Sequence, residues 1–174
     1  MHAVGIVGRF QENPKESHLQ AVKRIFKYIQ GTQNFGLWYP RDTDLTLHAY
    51  IDVDWAGRID ERKSTSGGAF YMGSRLVSWF SKKQSSIALS TAKAKYVVAA
   101  SCCTQLLWMI KTLQDIQIKW TPPISILCDN TSAISISKNP IMHSKTKHIP
   151  IKYHFQREQV LEKKVKLEYV PSKE

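Results

Sequence analysis

The sequence predicts an α/β fold, a mixed five-stranded sheet with flanking helices. Three observations carry that expectation. Beyond residue 42 the elements run strand, strand, strand, helix, strand, helix, strand, so hairpins join the first strands and helical crossovers the later ones. Leu45, Leu47, Ala49 and Ile51 alternate with Thr46, His48, Tyr50 and Asp52, the period of two of a strand with one buried face. A long apolar stretch places Tyr96, Ala100, Cys103, Leu107 and Ile110 along one face of a helix. The 174 residues suffice for one domain with a sizeable core and a short appended segment. Hydrophobic residues at 43% and charged residues at 22% exclude wholesale disorder. With 8 glycines, 7 prolines and no repeating period, collagen-like and repetitive architectures are excluded too.

In chain order, Asn13 can cap a first helix, with Pro14 at its first position and Glu16 completing a capping box. Leu19, Val22, Ile25, Phe26 and Ile29 recur at helical spacing until Gly31 supplies the stop. A short aromatic strand over residues 35–39 ends at Pro40, and Arg41-Asp42-Thr43-Asp44 reads as a linker. A domain boundary is therefore expected near residue 42, with an appended segment over 1–42 and the sheet domain over 43–174. After the alternating strand, residues 68–72 and 75–80 flank Gly73-Ser74 as a hairpin. Ser90-Thr91 caps the long helix, which runs to about Gln114. Pro122-Pro123 ends the connection to a buried strand over 124–128. A short helix after Asp129 stops before Pro140, a basic helix covers 148–161, and a last strand covers 165–170.

Lys and Arg number 25 against 14 Asp and Glu, a formal charge of +11 and a pI near 9.6. That excess favours polyanionic partners, nucleic acid first and an anionic membrane surface second. Cys102, Cys103 and Cys128 form no CxxC pair, which argues against a disulfide framework or zinc knuckle and for a reducing compartment. Ser101, Thr104 and Gln105 interrupt the apolar helix, which reads as too short and too polar to span a bilayer. The first residues lack the charged region and long apolar run of a secretory signal. The expected location is intracellular, in cytoplasm or nucleus.

Asp52 ends one strand and Asp129 another, and ligand sites of open α/β sheets gather at the carboxyl ends of strands. Aspartates converging from distant positions suggest a divalent-metal site, with Asp54 as a neighbour on the same strand face. Two-metal phosphodiester hydrolysis uses hard oxygen ligands around ions ~3.5–4 Å apart, and needs about three or four carboxylates. The competing reading is that Asp52 and Asp54 terminate a strand and Asp129 caps the next helix.

Three stretches stand early in the chain, Tyr50-Ile51-Asp52-Val53-Asp54-Trp55-Ala56-Gly57, Asp60-Glu61-Arg62-Lys63-Ser64-Thr65-Ser66-Gly67 and Val77-Ser78-Trp79-Phe80-Ser81-Lys82-Lys83-Gln84. Cys128-Asp129-Asn130-Thr131-Ser132-Ala133-Ile134 and His143-Ser144-Lys145-Thr146-Lys147-His148-Ile149 follow them. In these stretches, and in their order, the chain resembles the RNase H domain of copia-type retrotransposon Pol polyproteins. Lys23-Arg24-Ile25-Phe26-Lys27-Tyr28-Ile29-Gln30-Gly31-Thr32 resembles the C-terminal end of that polyprotein's reverse transcriptase. The resemblance implies an RNase H-like fold that cuts the RNA strand of RNA–DNA hybrids with Mg²⁺, or Mn²⁺, held by four acids. Asp52 matches the first acid and Asp129 the third. The second is a Glu near the start of the long helix, where this chain has Ser90-Thr91-Ala92-Lys93-Ala94-Lys95-Tyr96. Lys95 is the favoured counterpart and Lys93 the alternative. The fourth acid would follow Tyr169-Val170-Pro171, so a truncated copy lacking the final helix, with catalysis lost, is expected.

The other expected feature is a basic nucleic-acid surface: Arg62, Lys63, Lys82, Lys83, Lys145, Lys147, His148 and Lys152. Such charges give salt-sensitive, sequence-independent affinity, and a hybrid is recognised by shape and 2′-hydroxyls. The expected partners are an RNA–DNA hybrid and the reverse-transcriptase region of a parent polyprotein, with no membrane and a monomeric chain. Zinc binding by His143, His148 and His154 is disfavoured, since no HxxxH or Cys partner supports it. An integrase-type transferase is disfavoured by the strand order and motifs. Slow single-metal cleavage and a metal-free interaction remnant are the remaining alternatives.

Overall fold

The computed structural model describes residues 2–41, 44–57, 62–139 and 149–172. Two compact units result, Met1–Trp38 and Tyr39–Glu174. The first holds α1 (His2–Gly8) and α2 (Glu16–Gly31). The second holds β1 (Leu47–Asp54), β2 (Thr65–Met72), β3 (Arg75–Lys83), α3 (Thr91–Asp115), β4 (Ile124–Cys128) and α4 (Thr131–Lys138). A 3-10 turn (Ile151–Tyr153), α5 (Phe155–Leu161) and β5 (Val165–Tyr169) complete it.

In the first unit, α1 was not marked by any sequence signal. α2 begins two residues later than an Asn13 cap would place it, at Glu16 with Lys15 as its N-cap. Its N-terminus is held instead by Lys15 N–H donating to His18 Nδ1 at 3.0 Å, while the His18 ring stacks on Phe10. Residues 35–39 form no strand, because their backbone joins no ladder among the described residues.

In the second unit the sheet order is β3-β2-β1-β4-β5. β1, β2 and β3 pair antiparallel, while β1/β4 and β4/β5 pair parallel. This is the mixed five-stranded α/β sheet the sequence predicts. Short turns can only reverse a strand, whereas α3, α4 and α5 carry the chain back for parallel pairing. Gly73, at φ 59°, supplies the left-handed residue of the β2–β3 turn. β1 and β3 run on to Asp54 and Lys83, past the expected ends, because β2 starts at Thr65 and offers partners along their full length.

The core lies between the sheet and α3. Ala49 and Ile51 of β1, Phe70 of β2, Ile126 of β4 and Leu167 of β5 meet Val98, Cys102 and Leu106 of α3. Each large apolar side chain buried there contributes about 1.5–3 kcal/mol. α3 approaches β2 closely: a Cβ on Gly68 would stand 2.5 Å from Phe80 Cε1 and 2.8 Å from Cys102 Sγ. α3 is long and apolar enough to cross a membrane by length and composition, contrary to the sequence reading; half of its apolar window is buried within the fold. The expected continuous helix over 148–161 is broken. The chain turns at Ile151–Tyr153 and becomes α-helical only from Phe155, consistent with Pro150 having no N–H to give.

Candidate functional site: two aspartates bridged by a lysine

β1 and β4 run side by side in parallel, with Tyr50 paired to Leu127. Two residues further on, each strand presents an aspartate, Asp52 and Asp129. Asp129 does not cap the following helix. That task falls to Asn130, whose Oδ1 accepts from Ala133 N–H at 2.9 Å. The Asp129 side chain is thereby left for other contacts.

The contact it makes is with α3. Ser90 Oγ caps that helix by accepting from Lys93 N–H at 3.3 Å. One turn on, Lys95 reaches both carboxylates: its Nζ donates to Asp52 Oδ1 at 2.8 Å and lies 2.5 Å from Asp129 Oδ1. The Lys95 side chain is only 7% exposed, whereas that of Asp52 is 85% exposed. Asp52 Oδ1 also accepts from Val53 N–H at 2.7 Å, and Asp129 Oδ2 accepts from Ser172 Oγ at 2.8 Å.

These contacts shift the titration of all three groups. The Lys95 hydrogen bond holds the Asp52 carboxyl below its ordinary range against a smaller opposing effect of burial. Burial alone would lower Lys95, but its hydrogen bonds to Asp129 and Asp52 and their charges raise it. Burial works to raise Asp129, and Lys95 together with Ser172 bring it below the ordinary carboxyl value. Neighbouring Cys128 is pushed up by burial, so its thiol stays protonated in the neutral range.

The donor set does not fit a divalent cation. Mg²⁺ requires several oxygens around one point, and here the point between Asp52 and Asp129 is taken by an ammonium. Asp54 is turned away toward the β1 turn, where a Cβ on Gly57 would stand 2.0 Å from its Oδ2. Among the described residues, no group of three His, Cys, Asp or Glu side chains could hold a metal ion.

Lys95, and not Lys93, is the lysine against both carboxylates; Lys93 is half-buried in the first turn of α3. Arg62 is exposed and Lys63 half-buried, ahead of β2. Lys82 and Lys83, exposed at the end of β3, share a groove with Lys152 of the 3-10 turn. Lys145, Lys147 and His148 lie outside the described residues, as does His143. His154 bonds the Tyr96 hydroxyl at 2.9 Å. Sequence reasoning missed Ser172, which lines a groove of about 720 Å³ with Asp52, Asp129 and Tyr50. Its only signal is its position one residue beyond the Tyr169-Val170-Pro171 motif.

A mixed sheet of this order, with an acidic pair at the carboxyl ends of its first and fourth strands, defines an RNase H-like domain. The chain is 42% identical over 159 residues to the retrovirus-related Pol polyprotein from transposon RE1 of Arabidopsis thaliana, covering 91% of this chain and 11% of that protein. It is 40% identical over 166 residues to the Pol polyprotein from transposon TNT 1-94 of Nicotiana tabacum, covering 95% and 12%. The chain thus spans little more than a tenth of the length of these relatives. Among solved structures, the N-terminal RNase H domain of a Mycobacterium tuberculosis protein matches with a TM-score of 0.45 at 12% identity, covering 72% of this chain and 84% of that one. No family model matches. Over most of its length, then, the homologues of this chain are Pol polyproteins of copia-type retrotransposons.

Proposed function

We propose that this chain is an RNase H-like nucleic-acid-binding domain in which hydrolysis of the RNA strand of RNA–DNA hybrids, the activity implied for its family, is lost. The observation that carries the reading is the Lys95 ammonium between Asp52 and Asp129. Where a hydrolytic site needs negative charge to gather a dication, half of the charge of this pair is already offset from within by the ammonium. Two unit charges ~4 Å apart interact by roughly 4 kcal/mol at an effective dielectric of about 20, and a dication facing the ammonium about doubles the repulsion. Asp52, Asp129 and Lys95 form a structural ion-paired cluster in place of a metal centre.

Binding is carried by the basic surface, of which Arg62, Lys63, Lys82, Lys83 and Lys152 are the described members, and Lys145, Lys147 and His148 the others. Residues 1–42 belong to the reverse-transcriptase side of the parent polyprotein and 43–174 to the RNase H-like domain. The three cysteines are free and buried, which suits a reducing interior such as cytoplasm or nucleus.

The test is cleavage of a labelled RNA–DNA hybrid with Mg²⁺ or Mn²⁺ against an EDTA control, with Lys95→Glu alongside. The reading expects no EDTA-sensitive cutting and salt-sensitive retention of the hybrid. Metal-dependent cutting by the unmodified chain would overturn it. Cutting that returns in Lys95→Glu would place the lost function at that side chain.

A further inference from the structure

The five strands divide their side chains between two faces. Ala49, Phe70, Ile126 and Leu167 point inward, and α3, α4 and α5 close on that side, with Val98, Ala133 and Phe155 in the same core cluster. The register places the alternate residues on the other face. Tyr50 pairs with Ala69 and Ala69 with Trp79, so the three stand in one row across β1, β2 and β3, which Leu127 of β4 extends. His48 and Tyr71, paired across β1 and β2, form the next row.

This outward face is aromatic where a solvated sheet face is ordinarily polar. Trp79 is 68% exposed and Tyr50 41%. The rings are already ordered against one another, so docking costs little side-chain entropy. His48 stacks on Tyr71 with centroids 5.4 Å apart, and Tyr50 meets both edge to face at 5.7 and 5.6 Å. Beside Tyr50 the floor is low, because Ala69 carries one methyl and Gly67 no side chain, and all three line the groove of about 720 Å³.

Charge decides which kind of partner such a face takes. The chain carries +11, yet the strand positions that alternate outward hold Asp52, Asp54 and Glu168 against Lys83 and Lys166. A polyanion finds no attraction there, whereas two copies of this strongly basic chain can approach there without repulsion. The charged residues lie at the ends of β1 and β3 or on the edge strand β5, a polar rim around an aromatic centre, as in protein interfaces. From strand spacing and rise the sheet spans roughly 20 by 25 Å, so two such faces bury on the order of 1,000 Å², the lower bound of a specific interface. In place of the monomer expected from the sequence, we propose that two copies of this chain associate face to face through a twofold interface centred on Trp79, Tyr50 and Tyr71. Sheets so stacked lie about 10 Å apart, and each copy offers the same patch to the other. The small area makes the dimer weak, with a micromolar dissociation constant. This association goes beyond the nucleic-acid reading and does not depend on it.

Sedimentation equilibrium of the full chain, freed of nucleic acid, tests it over roughly 1 to 300 μM, a span that brackets micromolar dissociation. The mass is expected to rise from 20.0 kDa toward twice that value, at high salt as at low, since no ion pair drives the contact. Trp79→Lys is expected to weaken association by about tenfold or more, and Phe26→Lys on the exposed face of α2 to leave it unchanged. Should Trp79→Lys lower the melting temperature, Trp79→Ser, which adds no charge, carries the test. A mass of 20.0 kDa at every concentration overturns the proposal. Association that survives substitution of Trp79 overturns it too, and its loss in Phe26→Lys would then assign the contact to α2. A rise in mass that requires added RNA–DNA hybrid would give the contact to nucleic acid and equally overturn the proposal.

Discussion

Lys95 Nζ lies 2.5 Å from Asp129 Oδ1, and the lysine that makes this contact is almost wholly out of water. An ammonium so placed is tolerable only because two carboxylates face it. Lys95→Met is therefore expected to destabilise the fold by about 1–3 kcal/mol, less than the roughly 3–5 kcal/mol of a fully buried broken pair, because Asp52 can regain water. The triple variant Lys95→Met, Asp52→Asn, Asp129→Asn is expected to recover part of that loss. Urea midpoints of the two proteins decide the matter. A triple variant no more stable than the single would mean that Lys95 contributes packing and not charge balance.

Divalent cations are expected to leave the melting temperature of the unmodified chain where it is. Lys95→Glu turns the ammonium into a third carboxylate beside Asp52 and Asp129, and its melting temperature is expected to rise with Mg²⁺ or Mn²⁺. At 100 times the dissociation constant a bound ion adds about 2.7 kcal/mol. Thermal scans with metal and with EDTA check this, independently of catalysis. A metal-dependent rise in the unmodified chain would show that Lys95 yields its place.

The cluster also fixes a pH window. Asp52 and Asp129 titrate lower in the folded chain than in the unfolded one, so their stabilisation is fully present above the ordinary carboxyl range and is lost as pH falls through the folded values. Lys95 titrates higher when folded, so its share is present below the ordinary lysine value and is lost as pH rises through the folded one. Cys128, next to Asp129, is raised by burial and opposes folding only in alkali. Asp129→Asn is accordingly expected to flatten the acid limb of a stability profile and leave the neutral plateau lower. Chemical denaturation across pH reads both effects.

Gly68→Ala is expected to destabilise by about 1–3 kcal/mol, the usual cost of overpacking, because the new methyl would meet Phe80 and Cys102 at 2.5 and 2.8 Å. Gly73→Ala, at φ 59°, is expected to cost about 1 kcal/mol through backbone strain alone. The Gly68 variant should also loosen Lys95, which rides on the same helix, and a lower folded pKa for its ammonium, read by NMR, would show it.

The strands were legible because β1 alternates residue by residue and β4 is a short apolar run; neither pattern depends on distant contacts. Convergence of Asp52 and Asp129 followed from parallel pairing of the strands that end in them. Lys95 was distinguishable from Lys93 only by where the helix begins, which Ser90 fixes. Asn130 as the cap in place of Asp129 was not legible, since adjacent Asp and Asn are equally good caps and only packing against α3 separates them. Ser172 was silent for a similar reason: its role is set by Asp129, far away in sequence. The break at Ile151–Tyr153 was half-signalled by Pro150.

Asp129 and Asn130 sit side by side at the β4–α4 junction, one facing the lysine and the other starting the helix. Their tasks differ by a single step along the backbone. A one-residue deletion there would carry the amide to the lysine and leave the helix without its starter, so the junction can drift in chemistry but not in length. A substitution such as glutamate to lysine can be reversed by another at the same place, whereas a change of spacing would dismantle the frame that makes reversal meaningful.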